Sequence, residues 1–266
     1  MRSSLMAGWR CRSAFAVVAL MFGLGLLLPG VGQIPVTASG SSNAAQSLSS
    51  ESQTWLNTAV RTGQFPELRW PDFSDYRKHL DKFYEFNGYS LWWTKGHEPT
   101  AQARQMIATL QQSDQKGLSP DDYDGSRWQE RLAKLKPITQ RPTESDAAKF
   151  DLALTVCAMR YISDLHIGKI NPKRLDFLVD NESKKYDLAE FLKDHVVHAA
   201  EVAGALAQVE PTYPVYHRTI QALQRYIELA KEDDGEQLPP VKKPITPSQP
   251  YSGIPRLVRL LRLVGD

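Results

Sequence analysis

The chain has 266 residues, 42% hydrophobic and 23% charged, enough apolar content to bury a core in one large domain or two small ones and too much for a disordered or fibrous chain. Its 32 Lys and Arg against 30 Asp and Glu leave a formal charge of +2. No long basic run accompanies that balance, so the clustered positive field needed for nucleic-acid binding is missing.

Arg2, Arg10 and Arg12 precede an uncharged apolar run from Ala14 to Leu28, followed by Pro29, Gly30 and Gly32. This is the layout of a secretory signal, and the run is shorter than the roughly 20 residues of a spanning helix. Val36-Thr37-Ala38 supplies a small-residue cleavage site, so residues 1–38 read as a signal peptide, with retention as an N-terminal anchor the alternative. No cysteine follows the run to carry a lipid. Loss of this piece removes three of the 32 basic residues and leaves 29 against 30 acids, a nearly neutral mature chain. Cys11 leaves with it, and Cys157 alone cannot form an internal disulfide.

Residues 39–54 are dominated by Ser, Gly, Asn and Gln and read as a flexible tether, with order beginning near Trp55. Phe73, Tyr76, Leu80 and Phe83 mark one face of a helix that stops at Asn87-Gly88, before an extended piece over Tyr89 to Trp93. Thr100 is placed to cap a helix with Ala103, Met106, Ile107 and Leu110 as its buried stripe, ending at Lys116-Gly117. The segment from Gly117 through Ser119-Pro120-Asp121-Asp122-Tyr123 reads as a turn into a short helix over Trp128 to Leu135.

The strongest helical signal runs from Glu144 to His166, with Thr143 and Asp146 as a capping box and Gly168 as the stop. Phe150, Leu154, Cys157, Tyr161 and Leu165 form one stripe and Leu152, Val156, Met159 and Ile162 a second, so this helix is predicted to be central, with others packed on it. Further helices are predicted to open at Asp187, over Glu201–Gln208, and from Tyr213 through Ala230 with Tyr216, Ile220, Leu223 and Ile227. Charge and five prolines then define a semi-rigid linker over 232–253, followed by a basic, leucine-rich helix from Ile254. The fold class expected is mainly α, one helical domain over 55–231 packed on a central apolar helix.

Candidate chemistry is sparse. Cys157, mid-helix between Val156 and Ala158, reads as a small buried hydrophobe rather than a nucleophile. His195 and His198, with Asp194 and Glu201 nearby, suit either a metal pair or a solvated face. Asp164, His166 and Lys169 sit together at the end of the central helix before Asn171-Pro172-Lys173, where the helix dipole already favours His and Lys. Trp92-Trp93, beside Tyr84, Phe86 and Tyr89, suit sugar stacking or core anchoring, and in an extended segment only one of the pair can face solvent.

Several segments together resemble the helical scaffold region of the large L,D-transpeptidases, across about Phe73 to Ala230. They are Phe83-Tyr84 through Gly88-Tyr89 and Leu91-Trp92, Lys116 through Tyr123, Met159 through Lys169, and Val209-Glu210-Pro211-Thr212-Tyr213-Pro214-Val215-Tyr216. Ile254 through Asp266 resembles the opening helix of a peptidoglycan-binding-like domain, implying a truncated second domain over 254–266. The resemblance implies peptidoglycan or a cell-wall catalytic domain as partner, and the residues themselves lead us to expect no cofactor and no metal. The candidate glycan or partner contacts are Trp92, Trp93, Tyr161, Asp164, His166 and Lys169, and membrane contact is expected only through an uncleaved signal. The family's catalytic cysteine lies in a Ser-His-Gly-Cys motif that this chain lacks, so no residue inherits a catalytic role. The expectation is a scaffold module without turnover of its own. The alternative is a free-standing envelope protein binding glycan or a partner enzyme.

Overall fold

The computed structural model describes residues 48–136, 143–170, 186–241 and 243–265. The signal segment, most of the tether and Asn171-Pro172-Lys173 lie outside these. The described residues are mainly α-helical, with one two-stranded hairpin. In chain order the helices are α1 (Ser50–Thr62), α2 (Arg77–Glu85), α3 (Ala101–Gln111), α4 (Trp128–Lys134), α5 (Glu144–Ser163), α6 (Leu188–Phe191), α7 (Val202–Leu206), α8 (Pro214–Glu232) and α9 (Ile254–Val264). None of the described helices is long and apolar enough to cross a membrane.

Helix α5 is the axis of the fold. The expected capping box is present: the Thr143 hydroxyl accepts from the Asp146 amide at 3.1 Å and the Asp146 carboxylate accepts from the Thr143 amide at 3.0 Å. At 1.5 Å per residue its 20 residues span about 30 Å, and every residue from Phe150 to Ile162 is buried. Helices α1, α3, α4 and α6 all pack on it. Past Ser163 the ladder loosens into a π turn over Asp164–Gly168, and Gly168 stops it with φ +97°.

Order begins earlier than the composition suggested. Ser49 caps α1 by accepting from the Ser52 amide, and its own amide donates to the Glu144 carboxylate at 2.9 Å, joining the start of α1 to the start of α5. A serine-rich stretch that reads as tether thus contains a helix cap. At the other end of α1, Gly63 takes φ +69°, and a Cβ there would lie 2.8 Å from Ser74 Cα, so only glycine fits this reversal.

The segment after α2 also differs from the extended piece expected. Tyr89 has φ +60° and closes a turn, and the strands come later, as a hairpin of β1 (Thr94–Lys95) with β2 (Glu98–Pro99) around Gly96-His97. Two-residue strands leave too little alternation to be read from sequence. The hairpin hangs from α5 through one carboxylate. Asp151, fully buried, accepts from the amides of Trp92 and Trp93 at 2.8 and 2.7 Å through one oxygen, and from the Tyr84 hydroxyl at 2.9 Å through the other.

The helix predicted over Tyr213 to Ala230 is present as α8, but no residue on it is fully buried. Its stripe only half-covers itself against the turn over Ser113–Lys116, where Leu223 closes on Gly117. Helix α9 is fixed by Arg256, which pairs with Asp233 at 2.5 Å and Asp234 at 2.9 Å and donates to the Glu236 carbonyl at 2.6 Å. Its Ile254, Leu257, Val258 and Leu261 remain exposed.

Burial lifts the Asp151 carboxyl from its ordinary 3.8 to about 7, against the three donors that favour its charged form. The folded state therefore holds this proton more tightly than the unfolded chain. The stabilisation is complete below about pH 4 and is lost as pH rises through 7. Urea titrations should show this decline, and Asp151→Asn should flatten it. Asp151→Ala, which strands buried donors, should cost about 3 kcal/mol or more at any pH in the same titrations.

Candidate functional site

The residues singled out from sequence fall into two groups on α5, separated by about 20 Å at the helical rise from Asp151 to Asp164. Trp92 and Trp93 belong to the first. Trp93 is fully buried, and its indole N–H donates to Thr155 Oγ1 at 2.9 Å, which removes it from any contact with a ligand. Trp92 is half-buried, stacks on Phe83 at 4.9 Å and donates its indole N–H to the Phe83 carbonyl at 3.2 Å. The pair is held through adjacent amides on a single carboxylate oxygen, and its main work is anchoring the hairpin.

Tyr161, Asp164 and Lys169 form the second group, gathered around the turn over Pro120–Tyr123. The buried Tyr123 hydroxyl donates to Asp164 Oδ2 at 2.6 Å, and the Tyr161 ring meets Tyr123 edge-on at 5.3 Å. Lys169 pairs with Asp122, whose other oxygen accepts from the Trp70 indole at 3.2 Å. His166 points elsewhere: its Nδ1 lies 3.2 Å from the Val209 carbonyl and its ring 4.2 Å from that of Tyr186.

The turn itself is the part that sequence reading undervalued. Asp121 pairs with Arg69 at 3.4 Å, Asp122 with Lys169, Tyr123 with Asp164, and Asp124 with Arg131 at 2.5 Å. Asp124, with φ +58°, also accepts from the Arg69 amide at 2.8 Å, and a Cβ on Gly125 would meet the Pro120 carbonyl at 2.8 Å. A run of Pro, Asp and Gly reads as turn chemistry, yet the acids here bond the 69–70 segment, and Asp122 and Asp124 also reach Lys169 and Arg131. The missed residues are Trp70, Asp122, Tyr123 and Arg160, the last donating from α5 to the Trp70 and Asp72 carbonyls at 2.9 and 2.7 Å. The available signal was charge inside an otherwise apolar helix.

Burial raises the Asp164 carboxyl above the usual range, with the Tyr123 donor and Lys169 opposing it and Asp122 adding to it. Burial likewise raises the Tyr123 phenol, with the Asp164 charge beside it. A phenol so raised is a donor and not a base. On the surface above them, the exposed Trp70 indole stands between the Arg69–Asp121 and Lys169–Asp122 pairs. The arrangement fastens the 68–72 loop and the 120–124 turn to α5 and offers a polar ligand one aromatic face with balanced charge.

Cys157 is fully buried and its thiol is pushed up to about 12 by burial, with the Asp124 carboxylate adding to the effect, as expected of a core residue. His195 and His198 are exposed; the first stacks on Phe191 and the second meets the edge of Trp92. Among the described residues no group of three or more His, Cys, Asp or Glu converges as a metal site.

A cleft of about 290 Å³ opens beside α1. One face of α1 (Trp55, Thr58, Thr62), the reversal at Gln64 and Phe65, and Lys149 of α5 line it, with Lys149 paired to Glu67 at 2.7 Å.

Residues 78–223 match the family described as Scaffold domain, which covers more than half of the chain. No curated protein and no solved structure matches.

Tyr123→Phe removes a hydrogen bond to a largely buried carboxylate and should lower stability by about 1.5–3 kcal/mol in urea unfolding. Asp164→Asn keeps an acceptor for the Tyr123 hydroxyl and should cost less than half as much in that assay.

Proposed function

The chain belongs to the Scaffold domain family, and on that premise we propose that it is an exported, peptidoglycan-associated scaffold module of an L,D-transpeptidase that acts in cell-wall cross-linking without catalysis of its own. In this reading the N-terminal segment delivers it to the periplasm or cell envelope, and its rigid helical body supports or orients a catalytic domain. The observation that carries the proposal is how the chemistry-bearing side chains are used. Asp151, Asp124, Asp164 and Glu210 each join separate elements, and Cys157 is sealed in the core. Groups committed to internal bonds serve to hold a shape.

The second reading, a free-standing binding or adaptor protein for peptidoglycan or a cell-wall enzyme, is favoured by the open cleft beside Trp55.

Mixing the purified chain with a separately produced L,D-transpeptidase catalytic domain tests the scaffold role. The two should co-elute in size-exclusion chromatography, and the chain should raise the rate of cross-link formation on muropeptide substrates. Separate elution with an unchanged rate contradicts the proposal.

A further inference from the structure

We propose that the Trp55 cleft is a saccharide subsite that seats one ring of a neutral N-acetylated amino-sugar oligomer; this rests on the peptidoglycan reading and adds to it the surface that makes contact.

The lining determines the ligand class. Trp55 and Phe65 stand perpendicular, with ring centres 5.6 Å apart and planes at 78°, so the buried Phe65 braces Trp55, whose partly exposed ring supplies the face on which the C–H face of a pyranose packs. Phe65 is buried and forms the floor with Ala59, which suits an acetyl methyl. Trp55, Thr58 and Thr62 share one helical face, spaced three and four apart, opposite the Leu56 and Val60 that enter the core.

The polar rim matches hydroxyls rather than ions. Thr58 and Thr62 already donate to the Thr54 and Ala59 carbonyls, at 2.8 and 3.1 Å, so their oxygens remain as acceptors for sugar hydroxyls. The Lys149–Glu67 pair is partly exposed and cancels its own charge, placing a donor beside an acceptor where adjacent sugar hydroxyls need both. A phosphate or free carboxylate would find no net positive charge here.

Size and rigidity agree. At about 290 Å³ the cleft falls just below the ~300–1,000 Å³ typical of whole-ligand sites, room for one ring with the oligomer running out through its open side. Its walls are set before binding. The Phe65 amide donates to the Pro71 carbonyl at 2.9 Å, and the Glu67 carbonyl accepts from Arg127 and Arg131 at 2.9 and 2.7 Å.

The test is a titration of the ¹⁵N-labelled chain with the β-1,4-linked tetramer of N-acetylglucosamine, following the tryptophan indole N–H signals by NMR. The Trp55 signal should shift saturably while those of the buried Trp93 and Trp128 stay in place. Trp55→Ala should weaken binding by about tenfold or more. Lys149→Met, at a partly exposed position, should weaken it several-fold with the fold intact. Absence of saturation at millimolar tetramer, equal binding of the glucose tetramer, or unchanged affinity in Lys149→Met overturns the assignment.

Co-sedimentation with purified sacculi separates this proposal from the reading beneath it. If the unmodified chain and both variants sediment equally, the cleft assignment falls and peptidoglycan association stands. If the tetramer binds but the chain does not sediment, peptidoglycan association falls and the saccharide site stands.

Discussion

A helix buried on every side has no exposed face, so each polar side chain on it must find its partner inside the protein or carry the cost of desolvation. Helix α5 is in that position from Phe150 to Ile162. Its polar groups are therefore the joints of the molecule: Asp151 holds Trp92, Trp93 and Tyr84, Arg160 holds the carbonyls of Trp70 and Asp72, and Asp164, in the π turn that follows, holds Tyr123. Apolar packing brings the surrounding helices to α5, and these joints fix which loop lies at which level along it.

Much of this was legible in the sequence where the signal is local. The caps at Thr100 and at Thr143 with Asp146, the opening at Asp187 and the apolar stripes of α3 and α5 follow from spacing and turn chemistry, and each is found. What was not legible depends on distant partners. Ser49 reads as linker until Glu144 is placed beside it, and Asp122 and Tyr123 read as turn residues until Lys169 and Asp164 arrive. The candidate site was half visible for the same reason: Tyr161, Asp164 and Lys169 lie close together in sequence and converge, whereas His166 turns toward Val209 and Trp93 is drawn into the core.

The same division separates the interior from the surface. Inside, carboxylates and guanidinium groups are committed to joining elements, the pattern of a body whose task is to keep its shape. At the surface, three features are accessible: the exposed Trp70 indole, bonded to Asp122 between the flanking ion pairs, the apolar side of α9, and the cleft beside Trp55.

The fold depends most on α5 and its joints forming one cooperative unit. Native-state amide hydrogen exchange measures that directly. The amides of Trp92 and Trp93, held by Asp151, should exchange with the same free energy as the amides in the middle of α5, close to that of global unfolding. Fast exchange of the two tryptophan amides through local opening, with α5 still protected, would contradict it.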